Sequence, residues 1–128
     1  LLEQKQFEVD IQIPDTPIFA YIDKEALQRI LKNLIENVIR HGGDGKYISL
    51  RLTISNGKSI IEIEDHGKGM SPQQKKQIFV RNYTTAPKSS GSGLGLAISK
   101  RLAEQIGAEL EVYSVQNERT IFSTILKS

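Results

Sequence analysis

Three alternating glycines open a segment whose composition suits phosphate binding. Gly91, Gly93 and Gly95 lie directly before residues 96–106, where apolar residues recur at helical spacing. Uncovered backbone N–H groups at the positive end of a helix dipole attract phosphate. Residues 83–90 are rich in Thr, Ser and Lys and include a Pro, so a loop leads into the glycines. This context excludes a dinucleotide-binding turn, which needs a preceding strand, and the Walker pattern fails because no Gly-Lys-Ser/Thr closes the loop.

Two asparagines in a second segment have the spacing of a shared helix face. Asn33 and Asn37 are four residues apart, and Glu36 and Arg40 form another such pair beside them. A turn of about 3.6 residues places Asn37 at the margin of the apolar stripe, where it would face a cleft. An amide oxygen is a neutral ligand that suits Mg²⁺, an ion that shares its sites with substrate phosphates. The pair therefore indicates a metal site, although asparagines also simply flank core helices.

An acidic residue falls at a buried position of a predicted strand. Asp65 continues the alternation of Ile61 and Ile63, so its carboxylate is predicted to lie on the buried face. A buried carboxylate without partners is costly, and this one would need a hydrogen-bond donor. A turn aspartate before Gly67 is the other interpretation, and the residues leave both open.

The elements that must position these residues alternate between strand and helix patterns. The clearest is a helix with an apolar stripe, which has Asp23 as its N-cap and Gly42 after its end. A hairpin follows, with its turn at Asn56-Gly57. The other predicted elements are a half-buried strand over 5–13 with Phe7, Val9, Ile11 and Ile13 on one face, a short strand over 18–22, a short helix capped by Ser71, a mobile lid over 80–92, a helix from the glycines to Gly107, and strands over 109–115 and 119–126.

Length and composition restrict the class of protein. A chain of 128 residues with 38% hydrophobic and 25% charged residues is expected to form a single soluble globular domain over residues 1–128. The net charge of +2 argues against a dedicated nucleic-acid surface, and the lack of cysteine excludes disulfides and thiolate zinc sites. The sequence contains no apolar run that could span a bilayer and no signal peptide. Because it starts at Leu1 rather than Met, we expect a piece of a longer protein.

Taken together, the motifs resemble those of the sensor histidine kinases, which belong to the gyrase/Hsp90/histidine-kinase/MutL superfamily of ATPases. Residues 33–41 resemble the N box of these kinases, and residues 65–70 resemble their first glycine box. Residues 78–83 are similar to the F box, residues 91–96 to the second glycine box, and residues 120–122 to the Thr-x-Phe of the last strand. The order and spacing of the motifs also match, from about residue 7 to residue 126.

The resemblance implies a Bergerat fold, an α/β (α+β) two-layer sandwich in which a mixed, mostly antiparallel sheet packs on helices. ATP would lie between the helices and the lid. By position Asn37 would bind Mg²⁺, with Asn33 as a second candidate ligand, and Arg40 would reach the phosphates. Asp65 would accept a hydrogen bond from the adenine amino group. The other implied ATP-binding positions are His41, Gly67, Gly69, Gly91, Gly93, Leu94, Gly95, Leu96 and Thr120.

The implied function is that of the catalytic and ATP-binding domain of a two-component sensor histidine kinase. It would transfer the γ-phosphate of ATP to a histidine on a separate dimerisation domain, from which a response regulator aspartate receives it. Arg40, for its implied place at the phosphates, and Glu36, by location only, are the catalytic candidates. No segment of these residues resembles the phosphoacceptor segment, so the acceptor histidine is expected to lie outside them. The parent protein is expected to be a cytoplasmic or membrane-anchored homodimer, and the isolated domain a monomer.

Two departures from the family pattern and three rival functions complete these expectations. Val38 replaces the usual alanine after Asn37, and His66 stands where a small polar residue is common, with no evident chemical task.

The rival functions are an ATPase of the Hsp90 or MutL type in which Glu36 would activate water, a serine kinase, and a degenerate module that uses the nucleotide cleft for protein docking.

Overall fold

The computed structural model describes residues 8–15, 22–41, 46–79 and 95–127. Along these ranges a strand, a helix, a strand hairpin, two helices and a second strand hairpin follow one another. In chain order the elements are β1 (Glu8–Gln12), α1 (Lys24–His41), β2 (Tyr47–Ser55), β3 (Lys58–Asp65), α2 (Pro72–Gln77), α3 (Gly95–Gln105), β4 (Glu109–Val115) and β5 (Arg119–Lys127).

The strands form a mixed sheet in the order β1-β2-β3-β5-β4. β1 runs parallel to β2, and every other neighbouring pair is antiparallel. α1 and α3 pack against each other and bury their apolar residues on the sheet. This arrangement of a mostly antiparallel sheet on helices confirms the predicted two-layer α/β sandwich.

The core lies between the sheet and the two longer helices. Its buried members come from the sheet and from both helices. Those on α1 form the apolar stripe that the sequence predicts. The buried members include Ile30, Leu34 and Val38 of α1, Ala103 of α3, and Ile48, Ile63, Leu110 and Phe122 of the sheet.

The start of α1 follows from local hydrogen bonding, as predicted. The carboxylate of Asp23 accepts from the backbone N–H groups of Glu25 (3.0 Å) and Ala26 (3.2 Å), which otherwise would lack partners in the first helical turn. Asp23 is therefore the N-cap of α1. The helix ends at His41, one residue before the predicted Gly42.

Turn and cap residues also determine the β2–β3 turn and the start of α2. Asn56 and Gly57 have φ angles of 53° and 76°, the left-handed values that a tight hairpin turn needs. Ser71 and Gln74 form a reciprocal capping box, with Ser71 N donating to Gln74 Oε1 at 2.9 Å and Gln74 N donating to Ser71 Oγ at 3.2 Å. Both predictions are confirmed, although α2 ends at Gln77, two residues earlier than expected.

The C-terminal half also matches its predicted bounds. α3 is followed by Gly107 with φ of 76°, and Ala108 N donates to Ala103 O at 2.8 Å, which satisfies a carbonyl at the helix end. β4 and β5 extend over the two predicted strands, with Asn117 in their turn at φ 65°. Most of the short strand predicted over 18–22, and the predicted lid over 80–92, lie outside the described residues; Ile22 is described and is not in a strand.

The prediction of a half-buried apolar face on the first strand is wrong for the residues that the structure describes. Val9, Ile11 and Ile13 are 41%, 60% and 62% exposed. Val9 pairs with Ile48 and Ile11 with Leu50, so Val9 and Ile11 lie on the helix side of the sheet. β1 lies at one edge of the sheet, however, and among the described residues the core under the helices is built from β2, β3, β4 and β5. Alternation correctly indicated a strand, but alternation alone does not show which strand lies at an edge.

No helix in the described part of the chain is both long enough and apolar enough to cross a membrane.

Two threonines of β5 provide a test of how buried hydroxyl groups affect stability. Thr124 is fully buried, and its Oγ1 has no hydrogen-bond partner within the described structure. Thr120 is 6% exposed, and its hydroxyl bonds to Ser114 at 2.8 Å. Since an unpaired buried hydroxyl is unfavourable, Thr124→Val is expected to raise the free energy of unfolding by about 1 kcal/mol, whereas Thr120→Val lowers it by about the same amount. Urea denaturation measures both, and equal effects of the two substitutions would contradict this account.

Candidate functional site

The carboxylate of Asp65 is buried at the end of β3, as the alternation of Ile61, Ile63 and Asp65 predicts. Asp65 is 4% exposed and its Oδ1 accepts a hydrogen bond from Gly67 N at 2.9 Å. Both interpretations left open by the sequence therefore apply, since the residue is buried in the strand and also caps the turn that follows. Burial raises the pKa of Asp65, an effect opposed by the Gly67 N–H and by His66 and reinforced by Glu64. A hydrogen-bond donor at Oδ2 would compensate the desolvated charge.

Thr120 lies directly beside Asp65 in the sheet, because the two are register partners on β5 and β3. The hydroxyl of Ser114 on β4 lies 2.8 Å from that of Thr120, donates to Arg119 O at 3.0 Å and accepts from Met70 N at 2.8 Å. Since a serine has a single proton to donate, Thr120 is the donor in the bond between the two hydroxyls. Thr120 therefore offers an acceptor oxygen next to the Asp65 carboxylate.

Gly69 lets the loop after β3 approach the backbone of the β4–β5 hairpin. Its φ is 67°, and a Cβ there would overlap the carbonyl oxygen of Val115 and lie 2.8 Å from the carbonyl carbon. A hydrogen bond from Asn117 N to Lys68 O joins the same two segments. The loop of residues 66–70 is thus held against the neighbouring hairpin by a close backbone contact at Gly69 that only glycine permits.

A side-chain hydrogen bond joins α1 to α3 beside the predicted metal position. Asn33 Nδ2 donates to Ser99 Oγ at 3.2 Å, and Ser99 is fully buried. Asn37 lies one turn further along α1 and is half-buried, as is Glu36. Asn33 therefore has a packing role between helices, and its role as a metal ligand stays a prediction, as does that of Asn37.

The residues described near α3 include only part of the predicted phosphate site. α3 begins at Gly95, so its first backbone N–H groups lie at the N-terminal end of a helix, and Leu96 is half-buried. Gly91, Gly93 and Leu94 lie outside the described residues, as do the side chains of Arg40 and His41. In the ranges that are described, no group of three or more His, Cys, Asp or Glu is arranged to hold a metal ion.

Sequence reasoning missed three residues that shape the site. Ser114 and Ser99 are buried hydroxyls at 6% and 0% exposure, and a serine at an apolar position of a strand or helix was the available signal. His66 was left without a task, yet its ring stacks on that of Tyr47 with centroids 4.1 Å apart. No pattern in the sequence pairs those two rings, because the contact depends on strand register.

A family model and curated relatives place these features in context. The model described as "Histidine kinase-, DNA gyrase B-, and HSP90-like ATPase" matches residues 22–128. The chain is 42% identical over 130 residues to the sensor histidine kinase YcbM of Bacillus subtilis, and 31% identical over 130 residues to the sensor histidine kinase MtrB of Mycobacterium tuberculosis. Each comparison covers 98% of this chain, which spans only 42% and 23% of those proteins.

Solved structures show the same architecture. The mycobacterial sensor histidine kinase MprB superimposes with a TM-score of 0.81 at 29% identity, over 97% of this chain and 83% of that one. The catalytic domain of the histidine kinase ThkA gives a TM-score of 0.85 at 20% identity, over 98% of this chain and 82% of that one, which is a likeness of fold.

The close contact at Gly69 predicts a severe effect of a single methyl group. Gly69→Ala is expected to lower the free energy of unfolding by about 3 kcal/mol or more, because left-handed backbone strain is added to overlap with Val115. Gly107→Ala is the matched control, since Gly107 has a similar φ of 76° but open space around it, and it is expected to cost about 1–2 kcal/mol. Denaturant titration compares them, and equal losses would show that the overlap is relieved at no cost.

The raised pKa of Asp65 predicts a pH-dependent gain of stability when its charge is removed. The native state holds this proton more tightly than the unfolded chain, whose carboxyl has the ordinary value of 3.8. The contribution of Asp65 to stability is therefore fully present below pH 3.8 and is lost as the pH rises through the native pKa. Asp65→Asn keeps an oxygen for Gly67 N and is expected to stabilise the nucleotide-free protein at neutral pH, with no difference below 3.8. Thermal unfolding across this range measures the effect, and a less stable variant at neutral pH would contradict it.

Proposed function

The chain belongs to the histidine kinase-, DNA gyrase B- and HSP90-like ATPase family, and from this premise we propose that it is the ATP-binding catalytic domain of a two-component sensor histidine kinase. The domain binds ATP and presents the γ-phosphate to a histidine on a separate dimerisation domain. Similarity to proteins named sensor histidine kinases over 98% of the chain supports this proposal over other functions in the family.

The observation that carries the proposal is the buried carboxylate of Asp65. Asp65 Oδ1 bonds to Gly67 N, which leaves Oδ2 for a ligand, and the acceptor oxygen of Thr120 lies on the neighbouring strand. The exocyclic amine of adenine donates a hydrogen bond and suits such a carboxylate, whereas the carbonyl of guanine at the same ring position does not.

The phosphate end of the nucleotide is assigned to α1 and to the start of α3. Asn37 is the proposed Mg²⁺ ligand, with Asn33 as a second candidate, because amide oxygens suit this ion. Arg40, His41, Gly91, Gly93, Leu94, Gly95 and Leu96 are the other proposed contacts. Mg²⁺ would neutralise phosphate charge during transfer, which is the chemistry it supplies when bound.

The reaction is a transfer of the γ-phosphoryl group from ATP to an imidazole nitrogen. A phosphorus–nitrogen bond forms, the bond from phosphorus to the oxygen bridging to the β-phosphate breaks, and ADP leaves. The domain contributes mainly position and charge, since phosphoryl transfer needs little covalent help from a protein. Arg40 is proposed to stabilise charge on the phosphates. Glu36, which is half-buried and precedes Asn37 in the sequence, is the proposed proton acceptor within this domain. The alternative is a base beside the acceptor histidine, outside these residues.

The remaining parts of the signalling reaction are proposed to lie in other domains and proteins. A dimerisation and phosphoacceptor domain of the parent protein supplies the histidine, and a response regulator aspartate then receives the phosphate. The parent is proposed to be a homodimer, anchored at a membrane or cytoplasmic, with this domain, residues 1–128, on the cytoplasmic side. Relatives more than twice as long as this chain are consistent with such additional domains.

Calorimetric titration with a non-hydrolysable ATP analogue tests the nucleotide assignment. Native protein is expected to bind more tightly with Mg²⁺ than without it. Asp65→Asn is expected to weaken binding about 10- to 100-fold, since a hydrogen bond to a charged group is lost. Asn37→Ala is expected to remove the Mg²⁺ dependence, whereas Gln28→Ala, which removes an exposed amide from the same helix, leaves it unchanged.

Adding a histidine-containing dimerisation domain and labelled ATP then identifies the reaction. Acid-labile labelling of that domain is expected, as for a phosphorus–nitrogen bond. Acid-stable labelling of a serine would favour the serine kinase alternative, and phosphate release without an acceptor would favour an ATPase. A folded native protein that binds no nucleotide would refute the proposal and favour a docking module.

A further inference from the structure

An aromatic stack lies on the face of the sheet opposite the helices, directly behind Asp65. The rings of Tyr47 and His66 are 4.1 Å apart between centroids and inclined by only 13°. Tyr47 is the first residue of β2, and His66 directly follows β3. Since Ile48 pairs with Asp65, Tyr47 and His66 are the next residues opposite one another across these two antiparallel strands. The stack therefore closes the end of the β2–β3 ladder where the turn to Gly67 begins.

The same imidazole is tied to a buried carboxylate on its own side of the sheet. His66 Nε2 lies 3.0 Å from Glu64 Oε2, and the Glu64 side chain is only 11% exposed. Arg51 of β2 and Arg119 of β5 approach the Glu64 carboxylate at 3.8 and 3.9 Å. Glu64 thus has cationic neighbours from both adjacent strands, and the imidazole ring is fixed by an edge contact as well as by stacking.

These contacts hold the two neighbours of Asp65 in the chain. Successive side chains of a strand point to opposite faces, so Glu64 and His66 lie on the open face while Asp65 lies on the helix face. Asp65 Oδ1 bonds to the backbone N–H of Gly67, the residue directly after His66. Movement of His66 would therefore move both the backbone that carries the Asp65 carboxylate and the N–H group that orients it.

We propose that His66, through its stack on Tyr47 and its contact with Glu64, is a positioning residue that fixes the Asp65 carboxylate for recognition of the adenine amino group. This inference rests on the proposed function, in which Asp65 binds adenine. His66 touches no nucleotide in this arrangement, because it lies on the opposite face of the sheet from Asp65. Its effect is on adenine recognition and not on phosphate or metal binding.

Calorimetry with adenine and hypoxanthine nucleotides separates this role from general stabilisation. His66→Ala is expected to weaken binding of the non-hydrolysable ATP analogue about five- to tenfold, a size set by the strength of aromatic pairs. The matching inosine triphosphate analogue lacks the amino group, so its dissociation constant, measured by competition, is expected to change less than about twofold. Tyr47→Leu tests the stack from its other side and should reproduce both results.

Further variants show whether the ring pair acts as a unit. The affinity of the double variant His66→Ala/Tyr47→Leu is expected to lie within about twofold of that of either single variant. The effects of substituting two residues in contact do not add, because either substitution already removes the stack. His66→Phe keeps an aromatic ring for the stack and should recover part of the affinity. Tyr113→Ala is the matched control, since it removes an aromatic side chain that is 53% exposed on the same face of the sheet, and it should leave affinity unchanged.

The outcomes distinguish this inference from the proposed function. Native protein that binds neither analogue would refute the proposed function and this inference with it. Native protein that binds the ATP analogue, together with His66 and Tyr47 variants of native affinity, would overturn the positioning role alone. Equal weakening for both analogues, with a lower unfolding midpoint, would show that the stack only stabilises the fold.

Discussion

The structure depends on keeping one carboxylate out of water at the end of a strand. Asp65 is 4% exposed, and burial raises its pKa, so the charged form carries a free-energy penalty in the nucleotide-free protein. That penalty is tolerated because Gly67 N donates to one oxygen and because the loop after it is packed against the β4–β5 hairpin through Gly69. The buried charge is unfavourable in the empty site, and a ligand that donates a hydrogen bond to it compensates the cost. Such a site is selective, since a base without that donor leaves the charge unpaired.

Because successive side chains of a strand point to opposite faces of the sheet, neighbouring residues at the end of β3 have different environments. Asp65 lies beside Thr120 on the helix face, while Glu64 and His66 lie among charged and aromatic side chains on the open face. A register slip of one residue would exchange the two sets and would place Glu64 towards the core. The turn at Asn56-Gly57, with both φ angles positive, sets the β2–β3 register and so determines which carboxylate is buried.

Local patterns predicted the elements of the fold well, whereas contacts between elements were harder to predict. The cap at Asp23, the capping box at Ser71 and the buried parity of Asp65 are each determined by a few neighbouring residues, and the structure confirms them. The burial expected for Val9 and Ile11 was wrong because strand order, which no single strand encodes, decides which strands the helices cover. The tasks of Ser114 and His66 depend on register between strands, which no single segment of sequence encodes.

The hydrogen bond between Asn33 and Ser99 connects the two helices that would handle the phosphates. Ser99 lies just over one turn inside α3, the helix that begins at Gly95, and Asn37 lies one turn beyond Asn33 on α1. Because Ser99 is fully buried, loss of this bond would remove a hydrogen bond from the interior, so a change in the spacing of the helices is unfavourable. The proposed metal ligand and the helix N-terminus are therefore carried by elements whose separation is fixed in the core. On this account a nucleotide meets preset positions at both its base and its phosphates, which reduces the ordering that binding requires.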